Sequence, residues 1–114
     1  MSDYQPDKWV ILECTLRGET NYKILATWYG GYASGDQWKL NSGIEHATRD
    51  NNKISFWGYS GSVYECHDTA ECYGMSMYTS SILNSWLEQI ALKPDGISMK
   101  LLTYEEAQRL YPPK

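Results

Sequence analysis

The sequence predicts an α+β fold: an antiparallel sheet of about five to seven strands, one main amphipathic helix packed on one face, and a short C-terminal helix. Three observations carry that reading. Short apolar and β-branched runs alternate with Gly-, Asn- and Asp-rich turns as far as His67. One later stretch switches to a helical period. Thr103 and Glu106 then stand at the spacing of a capping box.

The elements follow in order. Residues 1–7 are polar and are expected to form a flexible N-terminal tail, with a single domain over 8–114. Trp9-Val10-Ile11-Leu12-Glu13-Cys14-Thr15-Leu16 reads as a strand, Arg17-Gly18-Glu19-Thr20-Asn21 as a five-residue turn, and 22–29 as the returning strand. Gly30-Gly31 breaks that strand, and Ala33-Ser34-Gly35-Asp36 forms a loop. Short strands are expected at 37–40, 44–49, 53–57 and 62–67. The turns between them are Asn41-Ser42-Gly43, Asp50-Asn51-Asn52 and 58–61. From 78 to 92 the residues Tyr78, Ile82, Leu83, Trp86, Leu87 and Ile90 make one apolar helical face, and Pro94 stops the helix. Residues 97–102 read as a last strand, and a second helix starts at the Thr103 cap and ends before Pro112-Pro113.

Composition narrows the function. With 42% hydrophobic and 21% charged residues the chain is globular rather than disordered. Its 114 residues bury roughly two-thirds of the unfolded surface, enough for one core. The net charge of −4 and the absence of any basic run argue against nucleic acid as a partner. No stretch approaches the ~20 apolar residues of a membrane span, and the polar start lacks the pattern of a secretory signal, so no membrane association and a cytoplasmic location are expected. Three cysteines, Cys14, Cys66 and Cys72, fit free thiols in a reducing compartment.

Few residues carry recognisable chemistry. Cys66, His67 and Cys72, with Cys14 or His46, form the richest cluster of metal-ligating and nucleophilic groups. The spacing lacks a second Cys pair, and adjacent Cys66 and His67 point to opposite faces if a strand runs through them. No metal, cofactor or catalytic residue is therefore assigned. A small thiol- or metal-dependent enzyme centred on these residues stays as the alternative. Gly30-Gly31 and the Gly58/Gly61 pair lack the spacing of a phosphate loop.

The aromatic residues are the stronger signal. They make up 14% of the chain, as ten Tyr, five Trp and one Phe, and concentrate beside glycines in Trp28-Tyr29-Gly30-Gly31-Tyr32 and Phe56-Trp57-Gly58-Tyr59-Ser60-Gly61. Tyr and Trp on tight turns are good anchors, because they bring large area and lose little side-chain entropy on binding. Tyr29, Tyr32, Trp38, Tyr59 and Tyr64 are the expected partner-binding residues. A protein would use them as a hot spot. A carbohydrate would stack on them and hydrogen-bond to Asp36, Gln37 and Asn41.

At these segments the strings Trp28-Tyr29-Gly30-Gly31-Tyr32, Trp38-Lys39-Leu40-Asn41-Ser42-Gly43, Gly58-Tyr59-Ser60-Gly61-Ser62-Val63-Tyr64-x-Cys66-His67 and Tyr73-Gly74-Met75-Ser76 resemble small uncharacterised proteins of tailed bacteriophages. The resemblance spans roughly residues 8 to 92 and implies a setting, the cytoplasm of an infected bacterium, without an activity. Small acidic phage proteins without a catalytic motif often bind host proteins. The expectation is thus a non-enzymatic phage accessory protein that binds, and inhibits or redirects, a host protein. A minor virion component is a further alternative.

Overall fold

The computed structural model describes residues 3–30, 35, 37–92 and 96–111. Among these residues seven strands and two helices follow in the order β1 (Lys8–Leu16), β2 (Glu19–Trp28), β3 (Gln37–Leu40), β4 (Ile44–Asp50), β5 (Lys53–Gly58), β6 (Val63–His67), α1 (Met77–Ala91), β7 (Ile97–Leu101) and α2 (Tyr104–Leu110). The strands divide into two antiparallel sheets, with orders β3-β2-β1-β7 and β4-β5-β6. The expected α+β class holds, with its strands shared between two layers rather than one.

The unbroken apolar run in β1 explains the layering. Trp9 and Ile11 point to one side of the four-stranded sheet and meet Ile24 and Ala26 of β2, Ile54 and Phe56 of β5, and Tyr64 and Cys66 of β6. Val10 and Leu12 point to the other side and meet Leu25 of β2 and Leu83 of α1. A strand buried on both faces needs apolar residues at every position, whereas β5 is covered on one face and alternates. Ile54 and Phe56 are buried there, while Lys53 is exposed. The order of layers is α1, the four-stranded sheet, then the three-stranded sheet with α2 at its side.

The β1–β2 hairpin is tighter than expected. Strand pairing continues to Leu16↔Glu19, leaving a two-residue turn of Arg17 and Gly18 at φ +52° and +85°. Positive φ at both central residues is the turn that matches strand twist, and it absorbs Glu19, Thr20 and Asn21 into β2. In α1 the buried stripe is also shifted from expectation. Thr79 and Leu83 are buried, with Trp86 and Leu87 packed beside them, whereas Tyr78 is half exposed. Ser76 caps the helix by accepting from the Thr79 amide at 3.1 Å. The predicted capping box of α2 is present, with Thr103 and Glu106 bonding each other's backbone.

Of the stretch 1–7 expected as a tail, residues 3–7 are described, and they are bonded to the domain. The Asp3 and Tyr4 amides donate to the Val63 carbonyl at 3.0 and 3.1 Å, and the Glu65 amide donates to the Tyr4 carbonyl at 2.8 Å. The Tyr4 ring lies 4.8 Å from that of Tyr64, and Pro6 is fully buried. Residues 3 and 4 therefore run along the outer edge of β6 as an added strand segment, and Gln5 and Asp7 bond to the end of β2. Residues 72–74 do the same for the first part of β1, through Trp9 N–H to the Cys72 carbonyl and Gly74 N–H to the Trp9 carbonyl. Between that segment and β7, the Tyr73 hydroxyl replaces one rung of the ladder. It accepts from the Ile11 amide at 3.1 Å and donates to the Leu102 carbonyl at 2.5 Å.

Candidate functional site

The second aromatic-glycine segment forms a built corner of the molecule. The turn after β5 and the turn before β4 are bonded to each other. Tyr59 N–H donates to the Gly43 carbonyl at 3.1 Å, and Ser60 N–H donates to the Ser42 hydroxyl at 3.2 Å. Lys23 Nζ donates to the Ser42 carbonyl at 2.9 Å and ties both turns to β2. On this anchored frame the Tyr59 side chain is 64% exposed. Gly43 is required for the fit. Its φ is +140°, and a Cβ there would stand 2.8 Å from Asn21 Oδ1 and 2.9 Å from Tyr59 Cδ2. Gly43→Ala is expected to cost about 1–3 kcal/mol and to displace the Tyr59 ring, read from a thermal melt and from the ring's NMR shifts.

The other expected contact residues are dispersed. Tyr29 is 49% exposed, with its amide held by Asp7 Oδ2 at 2.8 Å, but it follows the last residue of β2. Tyr59 packs beside Asn21 near the start of β2, so about 25 Å of strand separates the two. Trp38 lies on the α1 side of the sheet, edge-on to Trp86 at 5.0 Å. Tyr64 is a correction. At 1% exposure it is a core residue, because β6 turns it inward opposite Phe56. Tyr32 lies outside the described residues. The four described residues thus do not form one surface, and among them Tyr59 is the most exposed and stands on a turn bonded to a second turn.

The carbohydrate arrangement is not assembled. Asn41 is buried, and its Oδ1 accepts from the Ile24 amide at 2.8 Å, extending the β2–β3 ladder. Gln37 is exposed at the far end of β3 from Asn41, and Asp36 lies outside the described residues.

The cysteine and histidine cluster is also divided. Cys66 is fully buried, and burial, with Glu65 adding, pushes its thiol well above the usual range, the reverse of nucleophile activation. His67 points out from the opposite face of β6. Among the described residues no three His, Cys, Asp or Glu side chains stand together to share a metal ion, so Cys66, His67 and Cys72 do not fit that role. All three cysteines are free.

Two features had no signal in the sequence. Arg49 of β4 and Asp68 after β6 form a half-hidden ion pair, joined by Tyr104, Gln108 and the Tyr111 carbonyl. Every one of these contacts is long-range, so spacing along the chain could not reveal them. Every strong donor there has an acceptor, which marks a clamp rather than an open site. A cleft of about 330 Å³ lies between β1, β2 and α2, lined by Glu13, Tyr22, Leu102, Glu106, Arg109 and Leu110. Glu106 is held there by the Thr103 amide and Lys100, which lower its pKa and make it a poor proton donor.

Comparison with family models, curated proteins and solved structures finds no match to this chain. Among the described residues no helix is long and apolar enough to cross a membrane.

Proposed function

We propose that this chain is a non-enzymatic bacteriophage accessory protein that binds a host protein in the bacterial cytoplasm, with Tyr59 as the anchor of its contact surface. The observation that carries this reading is a 64%-exposed tyrosine on two mutually bonded turns. The backbone that presents this side chain is already fixed, and a tyrosine has few rotamers to lose, so a partner gains its area at little entropic cost. The chemistry-bearing groups favour binding over catalysis, since Cys66 is buried and Asp68 is saturated. The phage setting rests on the resemblance of the aromatic-glycine strings.

Affinity capture from bacterial lysate, followed by mass spectrometry, tests it. The wild-type chain is expected to recover one defined host protein. Tyr59→Ala is expected to weaken that recovery by at least about tenfold, the effect of a hot-spot residue, with the fold intact by circular dichroism. Tyr29→Ala, at the far end of the strand, is expected to leave it unchanged. Equal recovery by wild type and Tyr59→Ala refutes the assignment.

A further inference from the structure

We propose that the open edge of β7 pairs with β7 of a second copy of this chain, joining two four-stranded sheets into one. This inference does not depend on the proposed Tyr59 surface. It starts from the hydrogen-bond parity of the β1–β7 ladder. Arg17 N–H donates to the Gly96 carbonyl, and Leu102 N–H donates to the Ile11 carbonyl, in register with Leu12↔Leu101 through Leu16↔Ile97. Hydrogen-bonded pairs alternate along an antiparallel ladder, so Ser98 and Lys100 direct their backbone groups towards β1. Ile97, Met99 and Leu101 direct theirs outward, where no strand pairs with them among the described residues.

That row is complementary to itself. A twofold axis at Met99 sets Met99 opposite Met99 and Ile97 opposite Leu101 of the second copy. Each of these pairs brings two outward-facing residues together, so each exchanges both backbone hydrogen bonds. The side chains agree with the register. Ile97, Met99 and Leu101 share the face of Leu12, Cys14 and Leu16, which is the α1 face. Leu16, Ile97 and Leu101 are 54%, 37% and 40% exposed in the single chain. Beside them lies a cleft of about 220 Å³, lined by Trp86, Gln89, Ile90, Ile97 and Met99. Pairing places the second copy's Leu101 against Ile97, one of its lining residues.

Charge agrees too. On the other face Lys100 comes opposite Ser98 of the second copy, not opposite another lysine, and Lys100 is already paired with Glu106 at 3.1 Å. Of the other edges, β3 is only four residues long, and those of the three-stranded sheet are closed or guarded. Residues 3–4 cover β6 and residues 72–74 cover the start of β1. The pairing of β4 is interrupted by an irregularity between Ile44 and His46, and the strand carries Glu45, Arg49 and Asp50.

Sedimentation velocity from micromolar to millimolar concentration is expected to show a monomer–dimer equilibrium. Over the same range the amides of Ile97, Met99 and Leu101 are expected to gain protection from hydrogen exchange. A paired Ile97→Glu, Leu101→Glu variant sets like charges opposite each other twice and is expected to weaken the dimer at least about tenfold. Ile97→Glu with Leu101→Lys makes both cross-strand pairs attractive and is expected to restore it. A wild-type chain that stays monomeric at millimolar concentration overturns the proposal. So does a dimer that the two-glutamate variant retains, or one in which those three amides stay unprotected.

Discussion

Replacing Asp68 with alanine is expected to lower the unfolding free energy by about 2–4 kcal/mol, somewhat below the cost of removing one partner from a fully buried ion pair. The Arg49 and Asp68 side chains are only 17% and 13% exposed. Arg49 uses its whole guanidinium: Nη1 meets Asp68 Oδ2, Nη2 donates to Gln108 Oε1 at 3.1 Å, and Nε and Nη2 donate to the Tyr111 carbonyl at 3.1 and 2.6 Å. The second carboxylate oxygen accepts from Gln108 Nε2 at 2.7 Å and from the Tyr104 hydroxyl at 3.2 Å. Alanine leaves three donors without that acceptor and takes away the carboxylate charge beside Arg49. The same change removes the Asp68 bonds to Tyr104 and Gln108 and loosens α2 on the three-stranded sheet. Urea unfolding measures it, with a fall in Tm of more than about 10 °C alongside. Asp68→Asn keeps an acceptor and is expected to lose less. A loss under about 1 kcal/mol in Asp68→Ala would show that α2 is held by its apolar contacts alone.

Alkaline unfolding is the second large effect. Burial pushes the phenols of Tyr64, Tyr73 and Tyr111 up to about 12; neighbouring groups add to the shifts of Tyr64 and Tyr111, whereas the Ile11 amide partly offsets that of Tyr73. In the unfolded chain a tyrosine ionises near about 10. A folded pKa above the unfolded one means that the stability is complete below about pH 10 and is lost as pH rises through about 12. Three such groups act in the same direction, and the Cys66 thiol, also raised, joins them from a lower starting pH. Tyr73 is the most consequential, because its ionisation removes the proton it donates to Leu102 inside the β1–β7 ladder. Phenolate absorbance and far-ultraviolet dichroism, followed together, are expected to show one late, shared step. Tyr64→Phe keeps the ring and removes one ionising group, so its midpoint is expected to move to higher pH. Complete phenolate formation below about pH 11 with the dichroism intact contradicts this account.

Much of the architecture was legible in the residues. Turn-forming Asn and Gly, the β-branched runs and the Thr103 box place each strand and helix within one to three residues of its observed bounds. The division into two sheets was not legible, because strand order depends on pairings such as β1 with β7 that local pattern does not encode. One clue was present in Trp9-Val10-Ile11-Leu12, whose lack of alternation is the mark of burial on both faces. The strap at residues 3–7 gave no signal, since it is held mainly by backbone hydrogen bonds that polar residues make as well as apolar ones. At the candidate site composition identified the right segments but could not assign faces. Tyr59 and Tyr64 stand five residues apart, yet one is on an exposed turn and the other is in the core. A half-wet residue type such as tyrosine suits either place.

The three-stranded sheet is gripped at β6 by residues 3–4 and at β4 through the Tyr111 carbonyl. This sets an order of events on the ribosome. The β4-β5-β6 meander is local and can form once His67 has left the exit tunnel. Its clamp cannot close before Tyr111 emerges, and until then Arg49 lacks two of its four hydrogen bonds. β1 likewise waits for β7, more than eighty residues later, to complete its sheet. The nascent chain therefore carries an unfinished sandwich until β7 and Tyr111 have emerged. Final locking follows that point, governed by contacts between residues far apart in the sequence.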